Sequence, residues 1–255
     1  TAAWPGRPFI VPGPLLDQLP AVIVDGIFYA AWLFVAAVGM TLIFGVMKIV
    51  NITHGSFYAL GAYAAASFTG AWFAHGYPPM LSYGVLLVSA VVITLIFAPL
   101  IERGILRFMY AKDEAVILLI TYALFLILED VIKLVWGVNP YMVSEPYALM
   151  GSLQVAGMAY PVYNFALVGL AAALGLGLAW LLNRTTVGKL LLAVIHDPEV
   201  SRAMGINVGR FYLVTFTFGS MLAAIAGSFT APTVSVVPGL GVDVIVLSFA
   251  VVVIG

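Results

Sequence analysis

Long uncharged apolar runs alternate with short polar connections over nearly the whole chain. Runs long enough to cross a bilayer, about 20 residues, extend from Gly26 to Val46, Gly55 to Phe73, Met80 to Ile101, Pro161 to Leu182 and Phe211 to Ala231. A further span starts near Ala115 and carries Glu129, Asp130 and Lys133 in its outer part. The run from Val244 to Gly255 is too short to cross and reads as the start of another. The pattern predicts an all-α fold: a polytopic transmembrane helical bundle with six full spans and the start of a seventh, one domain over residues 1–255. The proline-rich segment Thr1 to Pro20, with Arg7 and Asp17, does not read as a signal peptide.

Composition names the solvent. With 64% apolar and 8% charged residues, the chain cannot hide its apolar side chains in one water-surrounded core, so lipid must cover them. A net charge of -1 and dispersed cations give no basic face, which argues against nucleic acid as a partner. The absence of Cys excludes thiolate metal sites and cysteine nucleophiles, and the 3 His lack metal-ligand spacing.

Orientation follows from the cations. Lys48, Arg103, Arg107, Lys112, Arg184, Lys189, Arg202 and Arg210 fall on one set of alternating connections. The opposite set holds only Arg7, and Lys133 lies inside a span. By the positive-inside rule the N-terminus is outside, the loop from Asn183 to Arg210 is cytoplasmic and the loop from Trp136 to Tyr160 is external. Asp25 and Asp243 mark outer span ends.

Polar residues inside this apolar pattern are the candidate chemistry. Between the first two spans, Met47 to Ser56 gathers Lys48, Asn51, Thr53, His54 and Ser56 in a stretch too short for an independent loop. One reading is a broken helix whose Asn51, Thr53 and His54 face a solute path, because backbone that leaves the helix at membrane depth must be buried in protein or line a cavity. The other is a plain turn with Asn51 or Thr53 as N-cap and His54 at headgroup level. Glu129, Asp130 and Lys133 admit a proton or cation relay, or pairing on one helix face at spacings of three and four residues. Small residues four apart, Gly61 and Ala65, Gly169 and Ala173, Ala223 and Gly227, suggest close helix packing.

The cytoplasmic loop is longer than a turn requires. Asp197 to Gly205 has an N-cap Asp, Pro198 at the first position, Glu199 in the first turn and Gly205 past the end, the signature of a short helix. Thr186 to Ile195 is apolar with one cation, Lys189, and reads as a second short helix along the membrane surface. Together they form either a rigid knob for docking on another protein or an amphipathic cover on the bundle. Gly188-Lys189 lacks the rest of a phosphate-binding loop, so an ATP-driven process would need its engine on another polypeptide.

Two segments resemble the LivH-type permeases of bacterial ABC importers. Gly39 to Tyr63 is similar to that family's apolar span, Asn51-x-x-His54-Gly55 break and following small, aromatic helix. Gly188 to Arg210, with Ala193, Asp197, Gly205-Ile206-Asn207 and Arg210, is similar to its cytoplasmic coupling segment. Thr53 stands where Ala is usual, Ser56 where an acidic residue is common, and His196 where Glu or Asn is frequent.

The resemblance implies a permease subunit without its own ATPase site, carrying branched-chain amino acids or a related amide or urea across the bacterial inner membrane. Its partners would be a second permease chain, LivM-like or another copy, two ATPase subunits with ATP and Mg, and a periplasmic substrate-binding protein. It implies Asn51, Thr53, His54, Ser56 and Tyr58 on the solute path. Coupling to the ATPases would fall to the segment 185–207, through Gly188, Lys189, Ala193, His196, Asp197, Glu199, Arg202 and Gly205. It also implies further apolar helices after Gly255. The competing reading is an ion-coupled secondary transporter, with Glu129, Asp130 or Asp243 binding the ion.

Overall fold

The fold was obtained as a computed structural model and is described for residues 15–110, 112–155 and 157–254. Arg7, most of the proline-rich start and Gly255 lie outside the described residues. The helices are α1 (Leu15–Met47), α2 (Thr53–Ala74), α3 (Ser82–Gly104), α4 (Glu114–Trp136), α5 (Glu145–Ala148), α6 (Val162–Arg184), α7 (Thr186–His196), α8 (Pro198–Ala203), α9 (Val208–Thr230) and α10 (Leu240–Ile254). The all-α expectation needs one amendment: the connection between Trp136 and Val162 carries α5 and an antiparallel hairpin, β1 (Ser152–Val155) with β2 (Met158–Pro161).

Among the described residues, five helical stretches are long and apolar enough to cross a membrane: Gln18–Met47, Pro79–Phe108, Glu114–Trp136, Val162–Arg184 and Val208–Thr230. The predicted span from Gly55 to Phe73 is not among them, although α2 at 22 residues is about 33 Å long. The reason is its position. α2 is buried continuously from Thr53 to Ala66, so its Ala, Gly, Ser, Thr and Tyr side chains meet protein and need not be lipid-soluble. The rim is built the opposite way, for α6 buries only Tyr163 and Ala171 and turns Leu176 and Trp180 outward. α1 starts eleven residues before the predicted Gly26, because a charge such as Asp25 ends an apolar run without ending a helix.

α9 is the hub, packing against α1, α2 and α3. Two of the three small-residue pairs serve this packing. A Cβ on Gly61 would strike the Ala224 backbone, and one on Gly227 would strike the carbonyl of Tyr58. Gly169 has open space at that position, so the third pair makes no close approach. Hydroxyls add ties in which each donor has a defined acceptor: Tyr163 Oη to Phe229 O at 2.7 Å and Trp32 Nε1 to Thr230 Oγ1 at 3.0 Å. Tyr141 and Val236 exchange backbone hydrogen bonds at 2.9 and 2.8 Å, joining the α4–α5 and α9–α10 connections.

At the end predicted to be cytoplasmic, Glu102 is buried and accepts a 2.9 Å hydrogen bond from Tyr110 Oη, whose ring meets Tyr212 of α9 edge to face. Burial first, and the Glu102 carboxylate second, push the Tyr110 hydroxyl up from its ordinary value, so it stays protonated and keeps donating. Tyr110→Phe is expected to cost about 1–3 kcal/mol, because it strips a buried carboxyl of its donor. Thermal unfolding of the purified variant checks this, and an unchanged midpoint would contradict it.

Candidate functional site

The break between α1 and α2 is a buried re-entry rather than a surface turn. Lys48, at φ 56°, ends α1, with its N–H still bonded to Phe44 O at 2.9 Å. The chain then runs beside α4: Lys48 and Val50 share a recess with Glu114 and Leu118, Thr121 Oγ1 lies 3.4 Å from Val50 O, and Ile52 reaches Phe125 and Glu129. His54 Nε2 meets the carbonyl of Ala36 at 2.8 Å. Ala36 precedes the end of α1 by eleven residues, about 16 Å along a helix. α2 therefore starts well inside the bundle, which disposes of the headgroup placement of His54.

Asn51, Thr53, His54, Ser56 and Tyr58 are all essentially inaccessible, at 0–1% exposure. The Asn51 carboxamide oxygen accepts from both the backbone N–H and the hydroxyl of Thr53, so Asn51 ties the break to the first residue of α2, whose N-cap position is held by Ile52 without a side-chain cap. A carbonyl can only accept, so the His54 proton resides on Nε2. That leaves His54 Nδ1, Asn51 Nδ2 and Ser56 Oγ without partners. Three buried polar atoms within six residues thus lack a partner within the chain, in a region where each unmet group is costly. Tyr58 differs, since its hydroxyl accepts from Trp32 Nε1 at 3.3 Å.

Sequence reasoning passed over Ser220 and Ser248, which are buried with unpartnered hydroxyls. Their signal was isolated hydroxyls in apolar spans. Spacing allows Lys133 to pair with either Glu129 or Asp130. Lys133 lies 3.4 Å from Asp130, as the three-residue spacing allows, while the buried Glu129 accepts from the Gly239 N–H at 2.7 Å through Oε1. That contact fastens α4 to the start of α10, where Gly241 and Gly55 also meet backbone to backbone.

The segment expected to be cytoplasmic has the two short helices predicted for it. Thr185 Oγ1 caps α7 by accepting from Gly188 N at 3.0 Å. Asp197 Oδ1 caps α8 by accepting from Glu199 N and Val200 N, both at 2.9 Å. Gly205, at φ 84°, ends it, and the Ile206 N–H returns to Ser201 O at 3.0 Å. The eight candidate coupling residues divide into two groups. Gly188 is buried where any Cβ would strike the Leu181 carbonyl, so with Asp197 it holds the segment's shape. Lys189, Ala193, His196, Glu199 and Arg202 are exposed, as is Gly205. α7 packs against α6, α1 and α9 through Gly188, Leu191 and Val194, leaving its opposite face exposed.

A membrane bundle with a polar break at its centre and a capped two-helix projection at one end has the architecture of a transport permease. Over residues 22–255 the chain matches the family described as the branched-chain amino acid transport system permease component, and it belongs to that family. It is 28% identical to the probable branched-chain amino acid transport permease protein LivH of Methanocaldococcus jannaschii, over 94% of this chain and 76% of that one. It is 22% identical to the high-affinity permease protein BraD of Pseudomonas aeruginosa, over 86% and 73% of the two chains. Against the LivH of Escherichia coli K12, the identity is 24% over 80% and 67%. No solved structure matches significantly. The chain is thus a permease subunit of an ABC importer.

Proposed function

We propose that this subunit forms part of the translocation path for branched-chain amino acids, with the break at Asn51, Thr53, His54, Ser56 and Tyr58 on the path and the projection 185–207 as the handle for the ATPases. The observation that carries the path assignment is the cluster of orphaned buried polar atoms on His54, Asn51 and Ser56. A solute passing in another conformation supplies the missing partners. The names of the relatives support the choice of solute.

In this reading α2 is a sixth span shielded by protein, and α10 is the start of a seventh. The distribution of cations supports an orientation with the N-terminus on the periplasmic side of an inner membrane. A second permease subunit, LivM-like or a second copy, completes the path. Two ATPase subunits carry ATP and Mg, and a periplasmic binding protein delivers the solute. ATP-driven closure of the ATPases shifts the bundle between inward-open and outward-open populations only through differential contact with the projection. The ion-coupled alternative is disfavoured by the match to the branched-chain amino acid transport system permease component over residues 22–255.

Uptake into proteoliposomes holding the full assembly tests the reading. Asp197→Ala strips two N–H groups of their cap, and Gly205→Trp forces a bulky side chain into left-handed backbone. Each is expected to cut ATP-driven uptake at least about tenfold, a loss of about 1.4 kcal/mol in coupling, while membrane insertion persists. Normal uptake in both variants, or gradient-driven uptake by this chain alone, would overturn it.

A further inference from the structure

A groove of 580 Å³ lies between α4 and α10 beside the start of α2, lined by Ile52, Phe125, Glu129, Lys133, Val242 and Ile245 among others. Its walls are mostly aliphatic and aromatic, and Glu129 and Lys133 are its only ionisable pair of opposite sign. We infer that this groove is a binding subsite for a free zwitterionic α-amino acid with a branched aliphatic side chain, its ammonium on Glu129, its carboxylate on Lys133 and its side chain against Ile52, Val242 and Ile245. The inference rests on the permease reading and deepens it by locating solute recognition on this subunit.

Three features support this occupant over an acyl chain. Glu129 and Lys133 are four residues apart on α4, which sets their Cβ atoms about 6 Å apart on one face. That is a span which the adjacent ammonium and carboxylate of one amino acid can bridge with short side-chain reach, whereas an acyl chain satisfies neither charge. Glu129 is 7% exposed, so its carboxylate is held in place by burial and by the Gly239 N–H. Lys133 has a side chain 40% exposed and a long 3.4 Å contact to Asp130, leaving its ammonium free to turn toward a carboxylate. The groove also adjoins Ile52, one residue from the orphaned Asn51, and so borders the break.

The test uses the full assembly in liposomes and a diazirine analogue of leucine as photoprobe, with label mapped by peptide mass. Expected is label on α4 and α10 near Phe125, Val242 or Ile245, quenched by excess leucine but not by leucinamide or N-acetyl-leucine, which lack one charge each. Lys133→Met should lower labelling at least about tenfold, and Lys133→Arg should restore it. Glu129→Gln keeps an acceptor for Gly239 and should also lower labelling about tenfold. Should that variant fail to assemble, the analogues and the exposed Lys133 decide the matter. Label elsewhere, quenching by both analogues, or label that follows lipid composition overturns the subsite even when ATP-driven uptake is normal. Absence of uptake in the wild type instead overturns the permease reading.

Discussion

Gly227→Leu is expected to prevent the bundle from assembling. The carbonyl of Tyr58 and the backbone of Ala62 stand where the new Cβ would be, and neither can swing aside as a side-chain end would. Separating α2 from α9 breaks the contact on which the whole fold centres. Overpacking of this kind costs about 3 kcal/mol or more, and in lipid no hydrophobic gain between helices offsets it. Gly61→Leu meets the Ala224 backbone and should behave alike. Gly169→Leu, in a stripe that looks identical in sequence, has open space around it and should leave assembly intact. Size-exclusion profiles of the detergent-extracted proteins separate these outcomes. A monodisperse Gly227→Leu protein, or an aggregated Gly169→Leu protein, would contradict the account.

The second large effect is expected at His54. Truncation to Ala removes the hydrogen bond to Ala36 and leaves a cavity in a fully buried position, at a cost on the order of 3 kcal/mol. The start of α2 would lose its tie to α1, and uptake should fall with stability. Thr69 supplies the contrast, since it is equally buried but its hydroxyl has no partner. Thr69→Val keeps the shape and removes an unmet polar group, so it should be neutral or stabilising. Thermal unfolding of both proteins checks the pair, and a greater loss for Thr69→Val than for His54→Ala would refute the assignment of roles.

The three small-residue pairs show where pattern stops informing. Gly61, Gly169 and Gly227 look alike as small residues four from another, yet only contact decides which face meets a neighbour. The same holds for the acidic pair in α4. Spacing allows Glu129 to reach Lys133, but the Gly239 N–H at the start of α10, 110 residues away in sequence, is the better partner. Caps were legible because they are local: Asp197, Pro198, Glu199 and Gly205 specify α8 within nine residues, and the structure builds it so.

By itself the sequence determined the solvent, the helical architecture, the short capped helices and the polar break, because each depends on residues close along the chain and on the transfer of apolar side chains from water to lipid. Tertiary structure alone decided that α2 is the shielded centre, that His54 sits deep against Ala36, and that Glu129 fastens α10. Those outcomes depend on which helices meet. Packing between distant segments is settled by shape and by the need to pair buried polar groups, and neither leaves a periodic trace in sequence.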